Sequence, residues 1–345
     1  MLYHSFPRRR KNNNPPDKGL KILENILKYG LLLAPEILIY PGFGNESGEY
    51  ILSQCRFSMT AIDNIEVFKN HAEAFGNIHI EFEAKDVYEM GAIPVIYTPK
   101  AEENSNSLWQ IAASFIHRLS DFSKIVKMLE YLDKAADEFS NVDEINVNTE
   151  TGLTKNLDVK QLRDTLDLIL EEIINKDKKI EFPQMQGAIQ GLISLFYYTD
   201  EQPKGKDINY LHYFRQREWR IIQGMYINGF IQDEDIVPMD SNNKESLKIR
   251  NSIIDVDSGF FNKELDYDFP SGRYKVIDLC RILRKIKKTD SEKGKSIQEY
   301  FNRILVPAVI YEQALVIAKE SKFPKGKIIP YTNIEDVIKF QGVKE

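Results

Sequence analysis

The order of hydrophobic patterns along this chain constrains its fold more than any other feature. Short alternating or apolar segments, typical of strands, occur before residue 100 and again after residue 200. Between them, apolar residues recur at helical spacing over long stretches. Strands on both sides of a helical middle predict an α+β protein. We expect a mixed central sheet built from the N-terminal and post-200 strands, in a core of residues 1–104 and 181–345, with a helical insertion or subdomain at 105–180.

The same patterns give bounds for individual elements. In the first hundred residues they predict strands at 2–6, 36–40, 50–59, 78–82 and 93–97, helices at 18–29 and 64–75, and a turn or short helix at 85–90. In the middle they predict helices at 108–120, 124–139, 159–174 and 185–198, and a polar connector at 141–154. After residue 200 they predict a strand at 210–226, a strand at 274–277 that runs into a basic helix through Lys288, and a βαβ ending at 304–310, 311–320 and 327–330.

Composition and charge narrow the class of protein. With 345 residues, 42% of them hydrophobic, the chain has ample material for a core and is neither disordered nor a disulfide-stapled miniprotein. The net charge of −6 disfavours a globally basic nucleic-acid binder. Cys55 and Cys280 form no CxxC motif, and no secretory segment or membrane-length apolar run is visible. We therefore expect a cytoplasmic protein with no membrane partner.

The residues that could form metal sites or catalytic triads are not clustered in this sequence. The histidines are His4, His71, His79, His117 and His212. They form no HExxH motif and no cluster with cysteine, and the chain has no P-loop, GxSxG or kinase signature. We interpret His71 and His79 as surface or half-buried residues, and we expect no metal site.

Three stretches could in principle contact phosphate. Gly42–Gly48 is a glycine-rich loop, but a strand follows it, so a hairpin loop is the favoured interpretation. Arg8–Lys11 and Arg273–Lys288 are basic and could contact a nucleotide or nucleic acid. A solvated face or a contact with a protein partner is favoured for both stretches.

The segment with the most chemical interest is Arg215–Arg220, which reads Arg-Gln-Arg-Glu-Trp-Arg. In a strand, Glu218 and Arg220 share one face and Trp219 lies on the other. A carboxylate held by arginines in a cleft stays ionised and can stabilise a developing cation. The alternative is a charged strand with internal ion pairs and a packed tryptophan. A joint role with His4, in the first strand, requires the two segments to meet in space.

Several motifs occur in an order that resembles a known family. They are Tyr3-His4, Gly19–Leu27 with Gly30-Leu31, Cys55–Ile62, Phe75–Phe82, Gly91–Tyr97 and Arg217-Glu218-Trp219-Arg220. Over about residues 1–100 and 185–230 they resemble the AbiGi-like abortive-infection family of bacterial phage-resistance proteins. That family supplies the antitoxin half of a two-gene system. The resemblance implies an anti-phage protein that acts as an antitoxin-like or regulatory binding partner, with its protein partner encoded nearby.

The chain is also similar to the ADP-ribosyltransferase fold, whose members carry a histidine on the first strand, a serine or tyrosine on a later one and a catalytic glutamate on a late strand. Those places fall to His4, Ser58 and Glu218. The resemblance implies that His4 bonds one ribose of the substrate NAD and that Ser58 lines the nicotinamide pocket. Glu218 would bond the other ribose and stabilise an oxocarbenium-like transition state, and Arg220 would orient Glu218 or contact pyrophosphate. The alternative function is thus an NAD-dependent ADP-ribosyltransferase or NAD glycohydrolase without a metal.

Overall fold

The computed structural model describes most of the chain. The described residues are 1–8, 17–40, 50–99, 107–138, 144–148, 154–158, 160–161, 164–165, 168, 189, 191–193, 195–199, 217–222, 236–266, 272–286 and 294–339. The chain divides into two compact units. The first contains Met1–Tyr40, Ile51–Trp109 and Ser194–Glu345, and the second contains Pro41–Tyr50 and Gln110–Ile193. The predicted insertion at 105–180 overlaps the second unit.

The strands of the described residues are numbered in chain order. They are β1 (Leu2–Phe6), β2 (Leu31–Tyr40), β3 (Tyr50–Ala61), β4 (Ile78–Phe82), β5 (Ile93–Pro94), β6 (Ile96–Pro99), β7 (Glu144–Asn148), β8 (Thr154–Asp158), β9 (Phe196–Thr199), β10 (Glu218–Ile222), β11 (Ile236–Pro238), β12 (Arg281–Leu283), β13 (Lys285–Ile286), β14 (Lys295–Ser296), β15 (Arg303–Pro307) and β16 (Ile328–Tyr331). The central sheet of the first unit runs β11-β12-β2-β3-β1-β4-β15-β16, and β10 joins it by pairing with β3 and β5.

The helices whose bounds are described are also numbered in chain order. They are α1 (Lys18–Tyr29), α2 (Ile65–Phe75), α3 (Ala84–Glu89), α4 (Ser107–Glu138), α5 (Lys244–Val256), α6 (Ser258–Phe261), α7 (Val276–Leu279), α8 (Tyr311–Glu320) and α9 (Ile334–Lys339). The α+β prediction, with a mixed sheet of N-terminal and post-200 strands, is confirmed. The predicted βαβ ending is confirmed as well, because β15 and β16 pair in parallel on either side of α8.

The central sheet is packed on both faces. On one face, Leu2 and Phe6 of β1 join Phe57 and Met59 of β3 in a core that includes the buried side of α1. On the other face, Tyr3 packs against Phe68 of α2, with ring centroids 5.1 Å apart. Because side chains alternate along a strand, β1 contributes to both cores.

Two local features fix α2 against β1. At its start, the side chain of Asn64 accepts a hydrogen bond of 2.9 Å from the backbone N–H of Val67, a typical N-cap. At its end, Gly76 has φ +110°, and a Cβ there would lie 2.3 Å from the carbonyl carbon of Phe6. Only glycine permits both this conformation and this close approach. The buried side of α2 is therefore held directly over β1.

Some predicted boundaries and connectors in the middle of the chain differ from the structure. The two helices predicted at 108–120 and 124–139 form the single helix α4, since no glycine or proline separates them. The predicted polar connector at 141–154 contains β7 and ends at the first residue of β8, and these two strands pair antiparallel with Ile145 opposite Leu157. The end of the helix predicted at 185–198 is instead β9, whose Phe-Tyr-Tyr-Thr sequence has strong strand propensity.

Two predicted strands after residue 90 also differ from the structure. The strand predicted at 93–97 is divided at Val95, since β5 pairs with β10 whereas β6 pairs in parallel with β9. The strand at 274–277 and the basic helix after it are the short helix α7 followed by β12 and β13. Pairing with β2 decides the conformation of β12, a non-local contact that helical spacing of apolar residues does not reveal.

Several predictions fall on residues that are not described. They concern Arg9–Lys11, Gly42–Gly48, His212, most of the helix predicted at 159–174, and both flanks of the strand predicted at 210–226. Of that last strand, Glu218–Ile222 is described and forms β10.

Candidate active site

The candidate site is built on β3 and β10, which pair antiparallel. Glu218 lies opposite Thr60, and Arg220 lies opposite Ser58. Directly paired residues of antiparallel strands present their side chains on the same face. Ser58, Glu218 and Arg220, three of the four residues predicted from the sequence, therefore share one face of the sheet.

Both oxygens of the Glu218 carboxylate have partners. The Nε–H of Arg220 donates to Oε1 at 2.8 Å, and the hydroxyl of Tyr97 donates to Oε2. The guanidinium of Arg56 lies 4.0 Å from Oε1. Burial alone would raise the pKa of Glu218, but the two arginines and the tyrosine outweigh it and lower the pKa to about 2. Glu218 is therefore a carboxylate at any physiological pH.

A second carboxylate balances the charge of this cluster. Glu36 of β2 forms an ion pair with Arg56, and its Oε2 lies 3.9 Å from Nη1 of Arg220. Two guanidinium groups thus face two carboxylates, so the network carries no net charge. Burial and the nearby Glu218 both raise the pKa of Tyr97, so its phenol keeps the proton that it donates.

Exposure distinguishes the members of this network. The side chain of Arg220 is 1% exposed, whereas that of Glu218 is 14% exposed. Arg220 is thus placed to orient Glu218, the first of the two roles expected for it.

His4 is held in one tautomer. Its Nδ1 lies 2.9 Å from the backbone carbonyl oxygen of Ser58, which can only accept, so Nδ1 carries the proton and donates it. Burial lowers the pKa of His4 to about 4, although the bond to Ser58 opposes this shift. The ring is therefore neutral at pH 7, and Nε2 is an acceptor.

The structure places His4 beside β3 but not on the face of Glu218. Thr60 pairs with both Tyr3 and Glu218, so β1 and β10 flank β3 on opposite edges, about 10 Å apart. The His4 ring packs against Phe57, with centroids 4.2 Å apart. Phe57 precedes Ser58 by one residue and so points to the opposite face. The contact between His4 and the site is the hydrogen bond from Nδ1 of His4 to the backbone carbonyl of Ser58.

His71 is a second histidine near the site, and the sequence analysis did not predict it as a site residue. His71 and His79 are both buried, contrary to the surface or half-buried positions expected for them. His79 is bonded by Ser5 and Tyr331, whereas neither ring nitrogen of His71 has a hydrogen-bond partner among the described residues. Burial lowers the pKa of His71 to about 4, and the charges of His4 and Glu218 act on it in opposite directions.

One signal in the sequence could have identified His71 as buried. It lies three residues after Phe68 and one before Ala72 in α2, and these spacings place the three on one side of a helix. Arg56, Glu36 and Tyr97 were missed for a different reason. They come from strands that only the folded sheet brings beside Glu218.

The described residues contain no group of three or more His, Cys, Asp or Glu side chains arranged to hold a metal ion. Within the described part of the chain, no helix has both the length and the apolar composition that crossing a bilayer requires.

Comparison with known proteins identifies no relative. No protein-family model, no curated protein and no solved structure matches the chain.

Proposed function

We propose that the protein is an NAD-consuming enzyme, an ADP-ribosyltransferase or an NAD glycohydrolase, with Glu218 as its catalytic residue. The observation that carries this proposal is the state of that carboxylate. It is ionised down to about pH 2 and held on two sides by Arg220 and Tyr97, yet its side chain keeps 14% exposure. A fixed, partly accessible anion is the group that a developing cation needs beside it.

The reaction follows from this placement. The bond between C1′ of the ribose and the nicotinamide ring nitrogen breaks, and its electron pair goes to that nitrogen, which becomes neutral. The positive charge passes to the ribose as an oxocarbenium-like transition state, which Glu218 stabilises electrostatically. In a glycohydrolase, water then bonds to C1′ and releases a proton. In a transferase, a nucleophilic side chain takes the place of water.

His4 and Ser58 support the proposal in different ways. Because Nδ1 of His4 is committed to the Ser58 carbonyl, Nε2 is left as an acceptor that suits a ribose hydroxyl. The Ser58 side chain lies on the Glu218 face, where the nicotinamide would bind. The His4 ring packs on the opposite face of β3, against Phe57, and its bond to the Ser58 carbonyl links it to the strand that carries Ser58.

Substituting Glu218→Gln tests this function. Glutamine keeps the size and most of the hydrogen bonding of the carboxylate but removes its charge. We expect NAD turnover, measured as release of nicotinamide, to fall by about 100-fold or more. Glu81→Gln is the matched control. Glu81 is a buried carboxylate that accepts a hydrogen bond from Arg303, so the loss of its charge should affect stability and not turnover. Turnover that is unchanged in Glu218→Gln, or a wild-type protein that neither binds nor consumes NAD, would contradict the proposal.

A second candidate function is that of an antitoxin-like or regulatory binding partner in phage defence. The observation that favours it is the apolar surface of α4, on which Phe115, Phe122 and Ile125 are each at least 40% exposed. Exposed apolar side chains in this number on one helix are typical of a protein-binding surface. The expected occupant is the protein encoded nearby, as the resemblance to the AbiGi-like family implies.

Co-expression separates the two functions. We expect the product of the neighbouring gene to co-purify with the wild-type chain and not with a Phe122→Glu, Ile125→Glu variant. Glu218→Gln should leave the complex intact. If the wild-type chain purifies without that product, the binding function is wrong, whatever the result of the turnover assay.

A further inference from the structure

His71 is a buried polar side chain without a hydrogen-bond partner among the residues that the structure describes. The residue is 6% exposed, and neither ring nitrogen makes a hydrogen bond within the described part of the chain. An unsatisfied buried donor or acceptor is unfavourable, and most buried polar groups in proteins are hydrogen-bonded. The neutral ring of His71 contributes one of each. Such a group is therefore expected to have a partner in the working state of the protein.

His79 shows that this fold can satisfy a buried histidine. Its Nδ1 lies 2.7 Å from Oγ of Ser5, and its Nε2 lies 3.3 Å from the hydroxyl of Tyr331. Both histidines are neutral, because burial lowers the pKa of His79 to about 3 and that of His71 to about 4. The difference between them lies in their partners and not in their burial.

The position of His71 relates it to the candidate site. α2 packs on β1 through the contact of Phe68 with Tyr3. Tyr3 pairs with Thr60, and Thr60 pairs with Glu218, so α2 covers the face of the sheet on which Glu218 lies. His71 is one helical turn beyond Phe68, on the buried side of α2. The electrostatic influence of both His4 and Glu218 on its ring agrees with this position.

We propose that His71 is a substrate-binding residue of the Glu218 site, where one ring nitrogen donates to the substrate and the other accepts from it. This inference rests on the proposed NAD-consuming function and extends it. The neutral groups of NAD that can serve as either partner are its sugar hydroxyls and its carboxamide, each of which offers a donor and an acceptor. A phosphate offers only acceptors, so it could accept from the ring N–H but could not donate to the other nitrogen.

A comparison of His71→Leu with His79→Leu tests the proposal. Leucine fills the volume of either ring without polar atoms. Because His71 loses no hydrogen bond in the free protein, we expect His71→Leu to unfold thermally at or above the wild-type temperature. We expect its Kd for NAD, measured by calorimetry, to rise by about tenfold or more. His79→Leu should unfold at a lower temperature and keep the wild-type Kd.

ADP-ribose and nicotinamide identify the bonded group. If His71 bonds a ribose hydroxyl, His71→Leu weakens binding of NAD and of ADP-ribose. If it bonds the carboxamide, the variant weakens binding of NAD and of nicotinamide. Either result supports the proposal. His71→Gln, which retains a donor and an acceptor, should recover part of the lost affinity.

Three results would overturn the proposal. One is a His71→Leu variant that binds NAD as well as the wild type, which refutes the role of His71 and leaves the function of Glu218 standing. Another is a His71→Leu variant that fails to fold or is destabilised as much as His79→Leu, since this indicates a structural role. The last is a wild-type protein that binds none of the three compounds, which also refutes the proposed function.

Discussion

The ion network around Glu218 should make the stability of the protein depend on pH in a specific range. The pKa of Glu218 is about 2 in the folded protein against an ordinary value of 4.5. Since the folded pKa is the lower one, the stabilisation is complete above pH 4.5 and is lost as the pH falls towards 2. The 2.5-unit difference corresponds to about 3 kcal/mol, of which about 2 kcal/mol is lost by pH 3.

Urea denaturation at pH 6, 5, 4 and 3 measures this loss, with the fluorescence of Trp219 as a probe next to the network. Glu218→Gln cannot titrate, so it supplies the reference for all other groups. The difference in free energy of unfolding between the wild type and this variant should shrink by about 2 kcal/mol between pH 6 and pH 3. Glu66→Gln, which alters an exposed carboxylate on α2, should follow the wild type at every pH.

A difference between the wild type and Glu218→Gln that stays constant from pH 6 to pH 3 would refute this reasoning. It would mean that Arg220 and Tyr97 do not hold the carboxylate in solution as they do in the structure. A loss between pH 6 and pH 5 would also contradict it, since that range lies above the ordinary pKa of a glutamate.

Two further predictions concern stability. Gly76→Ala should destabilise the protein by about 1–3 kcal/mol in thermal denaturation, because φ at this residue is +110° and the new Cβ would meet the carbonyl of Phe6. Gly326→Ala is the control. It should be close to neutral, because the space around Gly326 is open. Arg303→Met should cost about 3–5 kcal/mol in urea denaturation, because it leaves the buried Glu81 without its cation. Adding Glu81→Gln to Arg303→Met should restore part of the loss, and a double variant no more stable than the single one would count against a charge effect.

Local patterns predicted those elements whose conformation is set by their own residues. Helix α1 follows from apolar residues at helical spacing that end at Gly30, and α2 follows from a similar pattern. Strand β12 was predicted as a helix, because Ile282 and Leu283 fit either conformation until they pair with Leu31 and Leu32 of β2. Such pairing is decided by residues far away in the sequence.

In the candidate site, too, some features follow from local sequence patterns and others depend on strands that are distant in the sequence. Alternation along a strand was enough to place Glu218 and Arg220 on one face, since both belong to β10. It could not show that Tyr97 donates to Glu218 from β6, nor that Glu36 completes the charge balance from β2. The position of His4 relative to Glu218 depends on a third strand, β3, lying between them.

A comparison of two buried carboxylates separates the catalytic interpretation of Glu218 from that of a charged strand with internal ion pairs. Glu81 is 0% exposed, and its oxygens accept from Tyr3, Asn302 and Arg303 at 2.6–2.9 Å. An ion pair that serves only to hold strands together has this enclosed form. Glu218 is also paired with an arginine, but its side chain remains partly exposed, and its charge acts on His71, which has no hydrogen-bond partner among the described residues. Structural roles explain the bonds of Glu218 to Arg220, but they do not explain why His71, within the described part of the chain, is buried without a hydrogen-bond partner.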